Sequence, residues 1–337
     1  MYYTFGDVSI IPTILTTVRS RKDVNVNEKY TGLDGKELEI FPVFGASMKY
    51  MRSKFATDIA KGGSIHILPR VGLTDEERLE DISRTEGIVG SAIGLKDSEE
   101  FLKKMLKNKN LKFLSLDIAH AATSMSVEVL ANIAELGIDS GVIIGTVGSV
   151  QGFAFVYKAM DLLGFKEKIV RVGIGAGAAC TTRVNAGVGV GQFTLLNNVY
   201  NFIQHVGIKD VKIISDGGIT CPGDLSKALT RSNGAMVGRY FASNSFEDDV
   251  LVEVNGEIKI KYYGMASSIA KGDGNYVEGG VTFQPLVADR AYDVLEKLKQ
   301  GVQSAMTYID SVDLEGFRNN ARLAYNSIGT IKESNTH

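Results

Sequence analysis

A glycine-rich stretch around a cysteine carries the residues in this sequence best suited to chemistry. It runs from Arg171 to Gln192 and holds Cys180 among glycines at 173, 175, 177, 187, 189 and 191. Glycines let the backbone approach a ligand closely and expose its amide and carbonyl groups, which suits an anion or a cation. A cysteine thiolate in such a loop is a good nucleophile. The stretch therefore predicts a reactive loop with Cys180 at its tip.

A plainer interpretation of the same cysteine stays open. Free cysteine is among the most buried residue types, so Cys180 also fits an ordinary turn with a buried thiol. The neighbouring Thr181, Thr182 and Arg183 favour the reactive interpretation. They place hydroxyl donors and a fixed positive charge beside the thiol, and both stabilise a thiolate.

The elements that must position this loop alternate along the chain. Short β-branched runs are each followed by a charged segment with helical periodicity, which is typical of parallel βα units. The predicted strands are residues 43–47, 64–68, 88–93, 113–117, 141–145, 169–173, 211–215 and 235–238. The predicted helices include residues 75–86, 98–108, 124–135, 152–162, 195–205 and 221–230. This alternation predicts an α/β fold of one domain, a (β/α)8 TIM barrel.

Three additions surround the predicted barrel. They are an N-terminal arm (1–40), a polar, glycine-containing excursion (247–280) expected to cover the site, and a C-terminal segment. A doubly wound sheet is the alternative fold, but its dinucleotide motif requires a helix directly after the glycines and an acid about 20 residues on. Here the glycines continue to Gly191, and residues 193–198 contain no acid. The barrel is therefore favoured.

Barrel enzymes place their reactive groups at the C-terminal ends of the strands. The residues at these positions are Ala46, Ser47, Met48, His66, Asp117, His120, Thr146, Asp216, Gly217, Gly218, Gly238 and Arg239. A carboxylate such as Asp216 suits a vicinal diol, and the glycine amides suit a phosphate. Asp117 fits a ligand contact or a simple helix cap.

Composition favours a small-molecule partner. The 337 residues carry a formal net charge of −2, which predicts neither nucleic-acid binding nor an acidic tail. The two cysteines give no disulfide framework, and the N-terminus lacks a basic stretch followed by an apolar run, so we expect a cytoplasmic location. No apolar segment approaches the ~20 residues that a membrane helix needs.

Several motifs in chain order resemble the IMP dehydrogenase and GMP reductase family. They are FGDV at 5–8, GIGAGAACTTR at 173–183, GVGVGQ at 187–192, IISDGGITCPGD at 213–224 and YGM at 263–265. Together they are specific, and they span nearly the whole chain. The resemblance implies a barrel in which Cys180 attacks the purine C2 atom of a nucleotide monophosphate.

The resemblance also implies roles for the other residues. Thr182 and Glu278 would assist the departing or entering group, and Asp216 would hold the ribose hydroxyls. The implied substrate contacts are Ala46, Met48, Asp216, Gly217, Gly218, Gly238, Arg239, Tyr263, Gly264 and Met265. The implied contacts to the nicotinamide cofactor are Asp117, His120 and Thr146, and K⁺ would bind the carbonyl groups of Gly175, Gly177 and Cys180. A homotetramer is expected, with the arm and the apolar segment 292–309 as contact surfaces.

Within the family, the sequence favours the reductase. No paired regulatory domain is inserted, no Arg-Tyr pair lies between residues 264 and 285, Glu278 precedes glycine, and Thr220 opens a TCPGD motif. The DIAH motif at 117–120 and GVGV at 187–190 instead resemble bacterial dehydrogenases. The favoured reaction is the NADPH-dependent reductive deamination of GMP to IMP and ammonia. An NAD-dependent IMP dehydrogenase and a non-catalytic nucleotide-binding barrel are the alternatives.

Departures from the family pattern leave the exact purine open. The family's Pro-Gly-Ser before the cysteine is AGA at 176–178, so a phosphate-binding hydroxyl is missing. Its Met-Asp-Thr is MKY at 48–50, and its Gly-Asn-Val is GTV at 145–147. Arg239 replaces a glycine or serine. This arginine either compensates at the phosphate or indicates a differently charged or modified nucleotide.

Overall fold

The computed structural model of the protein describes residues 2–242, 250–271, 279–286 and 290–334. Eight parallel strands close into a barrel in which each strand pairs with its successor and the last pairs with the first. The strands are β1 (Val43–Gly45), β2 (Ile65–Leu68), β3 (Val89–Ile93), β4 (Leu111–Asp117), β5 (Val142–Val147), β6 (Lys168–Val172), β7 (Val211–Asp216) and β8 (Gly234–Val237). The predicted TIM barrel is confirmed, with strand ends shifted by at most two residues. The assignment of the whole chain to one domain stays a prediction.

Eight helices surround the strands. They are α1 (Ser53–Lys61), α2 (Asp75–Arg84), α3 (Glu99–Leu106), α4 (Ser124–Glu135), α5 (Val150–Leu162), α6 (Gln192–Val206), α7 (Pro222–Leu229) and α8 (Ala291–Tyr308). The six predicted helices are confirmed; α1 and α8 were not predicted as helices. Hydroxyl residues start several of them, because a side-chain oxygen can accept from an unpaired amide of the first turn. Thr74, Ser98, Thr123 and Ser149 each do so, and Thr74 also forms a capping box with Glu77.

The N-terminal arm forms the floor of the barrel. Strands Glu28–Thr31 and Glu37–Ile40 pair as an antiparallel hairpin at the end opposite the candidate site. From this hairpin the buried Tyr30 packs edge-on against Phe44 and Phe113 inside the barrel. The Tyr30 hydroxyl donates to the carbonyl of Asn233 at 2.7 Å. Part of the predicted arm is thus core.

The excursion after β8 builds a second, smaller sheet. The short helix Arg239–Ala242 follows β8, and strands Leu251–Val254, Glu257–Tyr263 and Val281–Pro285 then form an antiparallel three-stranded sheet. The short helix Ser268–Lys271 lies between its second and third strands. Residues 243–249 and 272–278 of this excursion lie outside the described residues.

Helix α8 closes the ring of helices by packing against α7 and α1. Its apolar residues, among them Leu295, Leu298 and Val302, are fully buried against the barrel. These three residues belong to the core, whereas Tyr308 is exposed, and the expectation that segment 292–309 is a contact surface stays a prediction. Within the part of the chain that the structure describes, no helix is long and apolar enough to cross a membrane.

The C-terminal segment returns to the N-terminus. Helix Leu314–Asn320 leads into strand Arg322–Tyr325, which pairs antiparallel with Val8–Ile11, and helix Ile328–Ser334 follows. The short 3₁₀ helices Phe5–Asp7 and Arg21–Asp23 complete the arm. The described terminal segments are thereby paired with each other, and Lys227 of α7 donates to the carbonyl of Phe5.

Substituting Tyr30 tests whether the hairpin is part of the core. We expect Tyr30→Ala to lower the free energy of unfolding by about 3–5 kcal/mol, because it empties a buried aromatic site. Tyr30→Phe keeps the ring and loses only the hydrogen bond to Asn233, so about 1 kcal/mol is expected. Urea denaturation measures both. Tyr308→Ala is the matched control, since that side chain is 63% exposed; an equal loss in Tyr30→Ala and the control would contradict the assignment.

Candidate active site

A buried arginine joins two aspartates at the carboxyl ends of the barrel strands. Arg171 lies in β6, and its Nε and Nη2 donate to Oδ2 of Asp216 at 3.1 and 2.7 Å. Its Nη1 donates to Oδ1 of Asp117 at 2.8 Å. The other oxygen of Asp117 accepts from the Ser47 hydroxyl at 3.0 Å. The ends of β1, β4, β6 and β7 are thus tied together by one charged network.

Burial and charge act in opposite directions within this network. Burial alone would raise the pKa of Asp117, but Arg171, Arg70 and the hydrogen bonds from Arg171 and Ser47 hold that pKa below its ordinary value. Burial would lower the pKa of Arg171, and the two aspartates more than offset this and raise it. Arg171 and Asp117 are therefore both charged at neutral pH.

The cysteine loop lies directly beside this network. Close approach requires glycine at two positions: a Cβ on Gly173 would lie 2.2 Å from the carbonyl oxygen of Asp216, and one on Gly217 would lie 2.9 Å from the amide of Gly177. Both glycines also have positive φ. The glycines thus bring the loop onto the end of β7, as their number in the sequence predicts.

Cys180 is held by backbone contacts on both sides. Its amide donates to the carbonyl of Gly177 at 3.0 Å, and the residue forms an antiparallel bridge with Gly279 of the excursion. The carbonyl of Ala179 accepts from the amide of Gly280 at 2.8 Å. The half-buried thiol lies 3.1 Å from the Thr182 hydroxyl. The excursion therefore fixes the cysteine loop from above.

Arg183 holds the loop. Its side chain packs where a Cβ on Gly175 or Gly189 would stand, and its guanidinium donates to the carbonyl of Val190. This contact joins the two glycine runs of the stretch 171–192. Arg183 thus stabilises the loop that carries Cys180.

A first cavity of about 250 Å³ opens between the cysteine loop, β7, β8 and the excursion. The predicted site residues that line it are Ala46, Met48, Asp117, Gly177, Cys180, Asp216, Gly217, Gly218, Gly238, Arg239, Gly264 and Met265. The structure thus brings nearly all the predicted substrate contacts to one place. Tyr263 is the exception: it is buried with its ring against Tyr50, and its neighbour Tyr262 lines the cavity instead. Side chains alternate faces along a strand, so the prediction was one residue out of register.

A second cavity of about 300 Å³ adjoins the first and shares part of its lining, including Cys180 and Arg171. The predicted residues that line it are Asp117, Thr146, Gly175, Gly177, Cys180, Thr182, Asp216 and Met265. Its remaining walls include Ile118 and Ile174. Because Cys180 and Asp216 line both cavities, two ligands can meet at the thiol.

Two singled-out positions, His120 and His66, line neither cavity, and two further expectations concern Asp117 and Glu278. His120 is exposed on the β4–α4 loop and lines neither cavity. His66 is buried inside the barrel, where its Nε2 bonds the carbonyl of Met51 at 2.7 Å and burial lowers its pKa to about 4. Asp117 is not a helix cap, because Thr123 caps α4. Glu278 lies outside the described residues.

Sequence reasoning missed three charged or aromatic residues of the site. Arg171 and Arg70 line the second cavity, and Tyr262 lines the first. A signal for Arg171 was available: an arginine within the apolar run KIVRV of an interior strand needs a buried partner. Nothing comparable marks Arg70, because it follows its strand in a loop.

The second cysteine differs from Cys180 in its surroundings. Cys221 is exposed at the N-cap of α7. Partial desolvation and then the nearby Asp224 carboxylate raise the pKa of its thiol. Cys221 is therefore a poorer nucleophile at neutral pH than an ordinary cysteine.

Removing the cation between the aspartates should destabilise the fold. We expect Arg171→Met to cost roughly 3–5 kcal/mol at pH 7, since it leaves buried carboxylates without a partner. In the unmodified protein the pKa of Asp117 is lower in the folded state than in the unfolded state. The stability that ionised Asp117 contributes is therefore fully present above its unfolded-state pKa and is lost as the pH falls through its folded-state pKa. In Arg171→Met, burial without the arginine would raise the pKa of Asp117. The difference in free energy of unfolding between the variant and the unmodified protein should therefore shrink between pH 7 and pH 4. Urea denaturation across this pH range measures the difference. A difference that stays constant with pH would contradict the pairing of Arg171 with a buried Asp117.

Comparisons with known proteins agree with this geometry. Residues 2–337 match the model of the IMP dehydrogenase / GMP reductase domain. A protein of Streptococcus agalactiae serotype III (strain NEM316) named GMP reductase is 30% identical over 322 residues, which cover 94% of this chain and 93% of that protein. A GMP reductase of Streptococcus pyogenes serotype M4 (strain MGAS10750) is 29% identical over the same shares. The chain therefore belongs to the IMP dehydrogenase / GMP reductase family of purine nucleotide oxidoreductases, and it is an enzyme.

Proposed function

We propose that the protein catalyses the NADPH-dependent reductive deamination of GMP, or of a close purine nucleotide, to IMP and ammonia. The observation that carries this proposal is the position of Cys180 between two cavities, with the Thr182 hydroxyl 3.1 Å from its sulfur. One cavity suits the nucleotide and the other suits the nicotinamide.

Cys180 is the nucleophile of the proposed reaction. Its thiolate adds to the purine C2 atom and forms a C–S bond, and the 2-amino group takes up a proton and leaves as ammonia. Thr182 is placed to pass a proton at this point, because its oxygen lies beside the sulfur. The C–S bond breaks once C2 has been reduced, which frees IMP and returns the thiolate. One hydride and two protons are consumed for each IMP and ammonium ion formed.

The first cavity offers the groups that a nucleotide monophosphate needs. Arg171 donates two hydrogen bonds to Oδ2 of Asp216. The other oxygen, Oδ1, makes no hydrogen bond with the described residues and is therefore available for the ribose hydroxyls. Gly217, Gly218 and Gly238 present backbone to the same cavity, and Arg239 adds a positive charge at its rim. This charge offsets the missing hydroxyl at Ala178.

The second cavity fits the nicotinamide end of the cofactor. Ile118 and Ile174 provide apolar walls, and Gly173 and Gly175 contribute backbone to the lining. Asp117 and Thr146 line the same cavity, and these two residues would also contact the cofactor. When bound, NADPH supplies the hydride to C2.

Other parts of the proposal rest on the family resemblance. Glu278 would handle ammonia with Thr182; it precedes Gly279, which bridges to Cys180. K⁺ would bind the carbonyl groups of Gly175, Gly177 and Cys180, although the Gly177 carbonyl already accepts from the amide of Cys180. A homotetramer in the cytoplasm is the proposed state of the enzyme.

Steady-state assays test the reaction. With GMP and NADPH, we expect loss of reduced-cofactor absorbance with one IMP and one ammonia formed for each NADPH. Cys180→Ala should abolish turnover and leave GMP binding within about threefold, because the thiol acts in the chemistry rather than in binding. Formation of NADH from IMP and NAD would instead favour the dehydrogenase. Tight GMP binding without turnover by the unmodified protein would favour the non-catalytic barrel.

Selective alkylation tests the nucleophile. We expect iodoacetamide to modify Cys180 much faster than Cys221, whose thiol has a raised pKa, and bound GMP to protect Cys180. Activity should fall in proportion to modification at 180. Peptide mapping by mass spectrometry gives both rates, with Cys221→Ser as the matched control. An unreactive Cys180 in mildly alkaline buffer, with and without GMP, would remove the covalent mechanism.

A further inference from the structure

One wall of the first cavity is backbone with little intrinsic order. Residues 217–220 line this cavity, and we call them the glycine wall. Gly217 and Gly218 both have positive φ, 89° and 82°. Glycine has more backbone freedom than any other residue, so two in succession lose much entropy when their conformation is fixed. The order of the glycine wall therefore depends on contacts from outside the cavity.

Phe5 packs behind the glycine wall and lines neither cavity. It is 2% exposed, and a Cβ on Gly218 would lie 3.3 Å from Cδ2 and Cε2 of its ring. The same ring packs edge-on against Phe193 of α6, at a centroid distance of 6.5 Å. The ring thus fills the space behind Gly218 and limits how far its backbone can move.

The backbone of Phe5 is connected to the other end of the glycine wall. Its carbonyl accepts from Nζ of Lys227 at 2.8 Å, and the same Nζ lies 3.9 Å from Oδ1 of Asp224. The other oxygen of Asp224 accepts from the amide and the hydroxyl of Thr220, at 3.0 and 2.7 Å. Phe5 therefore contacts one end of the wall with its ring and is linked to the other end through two side chains of α7.

A pair of hydrogen bonds anchors the segment that carries Phe5. The amide of Tyr3 donates to the Thr194 hydroxyl at 2.6 Å, and the amide of Thr194 donates to the Tyr3 carbonyl at 3.1 Å. Gly191 allows this approach, since a Cβ there would lie 2.6 Å from the Tyr3 carbonyl oxygen. The position of Phe5 is thus set by the first turn of α6.

We propose that Phe5 is a positioning residue that fixes the glycine wall and thereby determines how tightly the first cavity binds a nucleotide. It acts through Gly218 and Thr220 and does not touch the ligand. A wall that is ordered before binding loses less conformational entropy when the ligand binds, so the affinity is higher. The choice of a nucleotide for the first cavity and of NADPH for the second rests on the function proposed above.

Hydrogen exchange of the unliganded protein tests the positioning step. We expect Phe5→Leu to speed amide exchange in residues 217–220 at least about fivefold, because the smaller side chain leaves space behind Gly218. Phe165→Leu is the matched control: Phe165 is also 2% exposed, and it precedes β6 at the end of the barrel opposite the candidate site. At a similar loss of melting temperature, this control should leave exchange in 217–220 unchanged. Unchanged exchange in Phe5→Leu would overturn the proposal.

Ligand titrations test the consequence for binding. We expect Phe5→Leu to raise the dissociation constant for GMP about 5- to 20-fold and to leave that for NADPH within about twofold, because neither Gly218 nor Thr220 lines the second cavity. A purely structural role would weaken the binding of both ligands alike or of neither. Equal losses for GMP and NADPH, or an unchanged constant for GMP despite faster exchange, would therefore overturn the proposal.

Thr194→Val gives a further test in which Phe5 stays intact. It removes the hydroxyl that accepts from the Tyr3 amide, and Thr194 lines neither cavity. We expect faster exchange in residues 217–220 and weaker GMP binding. The loss in the double variant Phe5→Leu/Thr194→Val should be smaller than the sum of the single losses, because both changes act on the same contact. Fully additive losses would contradict a shared route through Phe5.

Failure of the proposed function and failure of this proposal give different results. If the unmodified protein does not turn over GMP, the proposed function fails, while exchange in residues 217–220 still decides whether Phe5 fixes the glycine wall. If turnover is normal and exchange in Phe5→Leu is unchanged, the role of Phe5 fails and the proposed function stands.

Discussion

The ion pairs of Arg171 with Asp117 and Asp216 are the constraint on which the site depends. A charged arginine inside a barrel is tolerated only if its donors are bonded, and two carboxylates at strand ends supply the acceptors. Once they do, each aspartate has one fixed orientation. Asp117 has both oxygens occupied, whereas Asp216 keeps one oxygen for a ligand. The network thus provides structural support, and it leaves Oδ1 of Asp216 without a hydrogen bond among the described residues.

The cysteine loop depends on this arrangement for its position. Backbone atoms of the loop pack against the end of β7 at distances that only glycine allows. Gly173 and Gly217 therefore fix the position of the loop, and with it Cys180, relative to the barrel. The excursion adds a second support through the bridge from Gly279 to Cys180. A nucleophile held from below and from above loses little freedom when a ligand binds, and such preorganisation lowers the cost of catalysis.

Two cavities that share one thiol suit a reaction between two ligands. Each cavity can take one ligand, and the two cavities share Cys180 together with Asp117, Arg171 and Asp216. Arg239 lines only the first cavity and Arg70 lines only the second, so each cavity has a positively charged side chain that the other lacks. The departures from the family pattern reach the cavities themselves, since Ala178 lines the first cavity and Thr146 lines the second.

The sequence by itself determined the barrel, the glycine-rich loop and most of the residues that line the first cavity, because strand periodicity, glycine spacing and strand-end position are local signals. Only the tertiary structure decided which neighbour faces a cavity. Tyr262, and not the predicted Tyr263, lines the first cavity. Side chains alternate between the two faces of a strand, and the sequence does not show the register of this strand. His120 proved exposed, and Arg171 and Arg70 joined the site, since the partners of a charged side chain come from strands distant in sequence and are fixed only when the barrel closes.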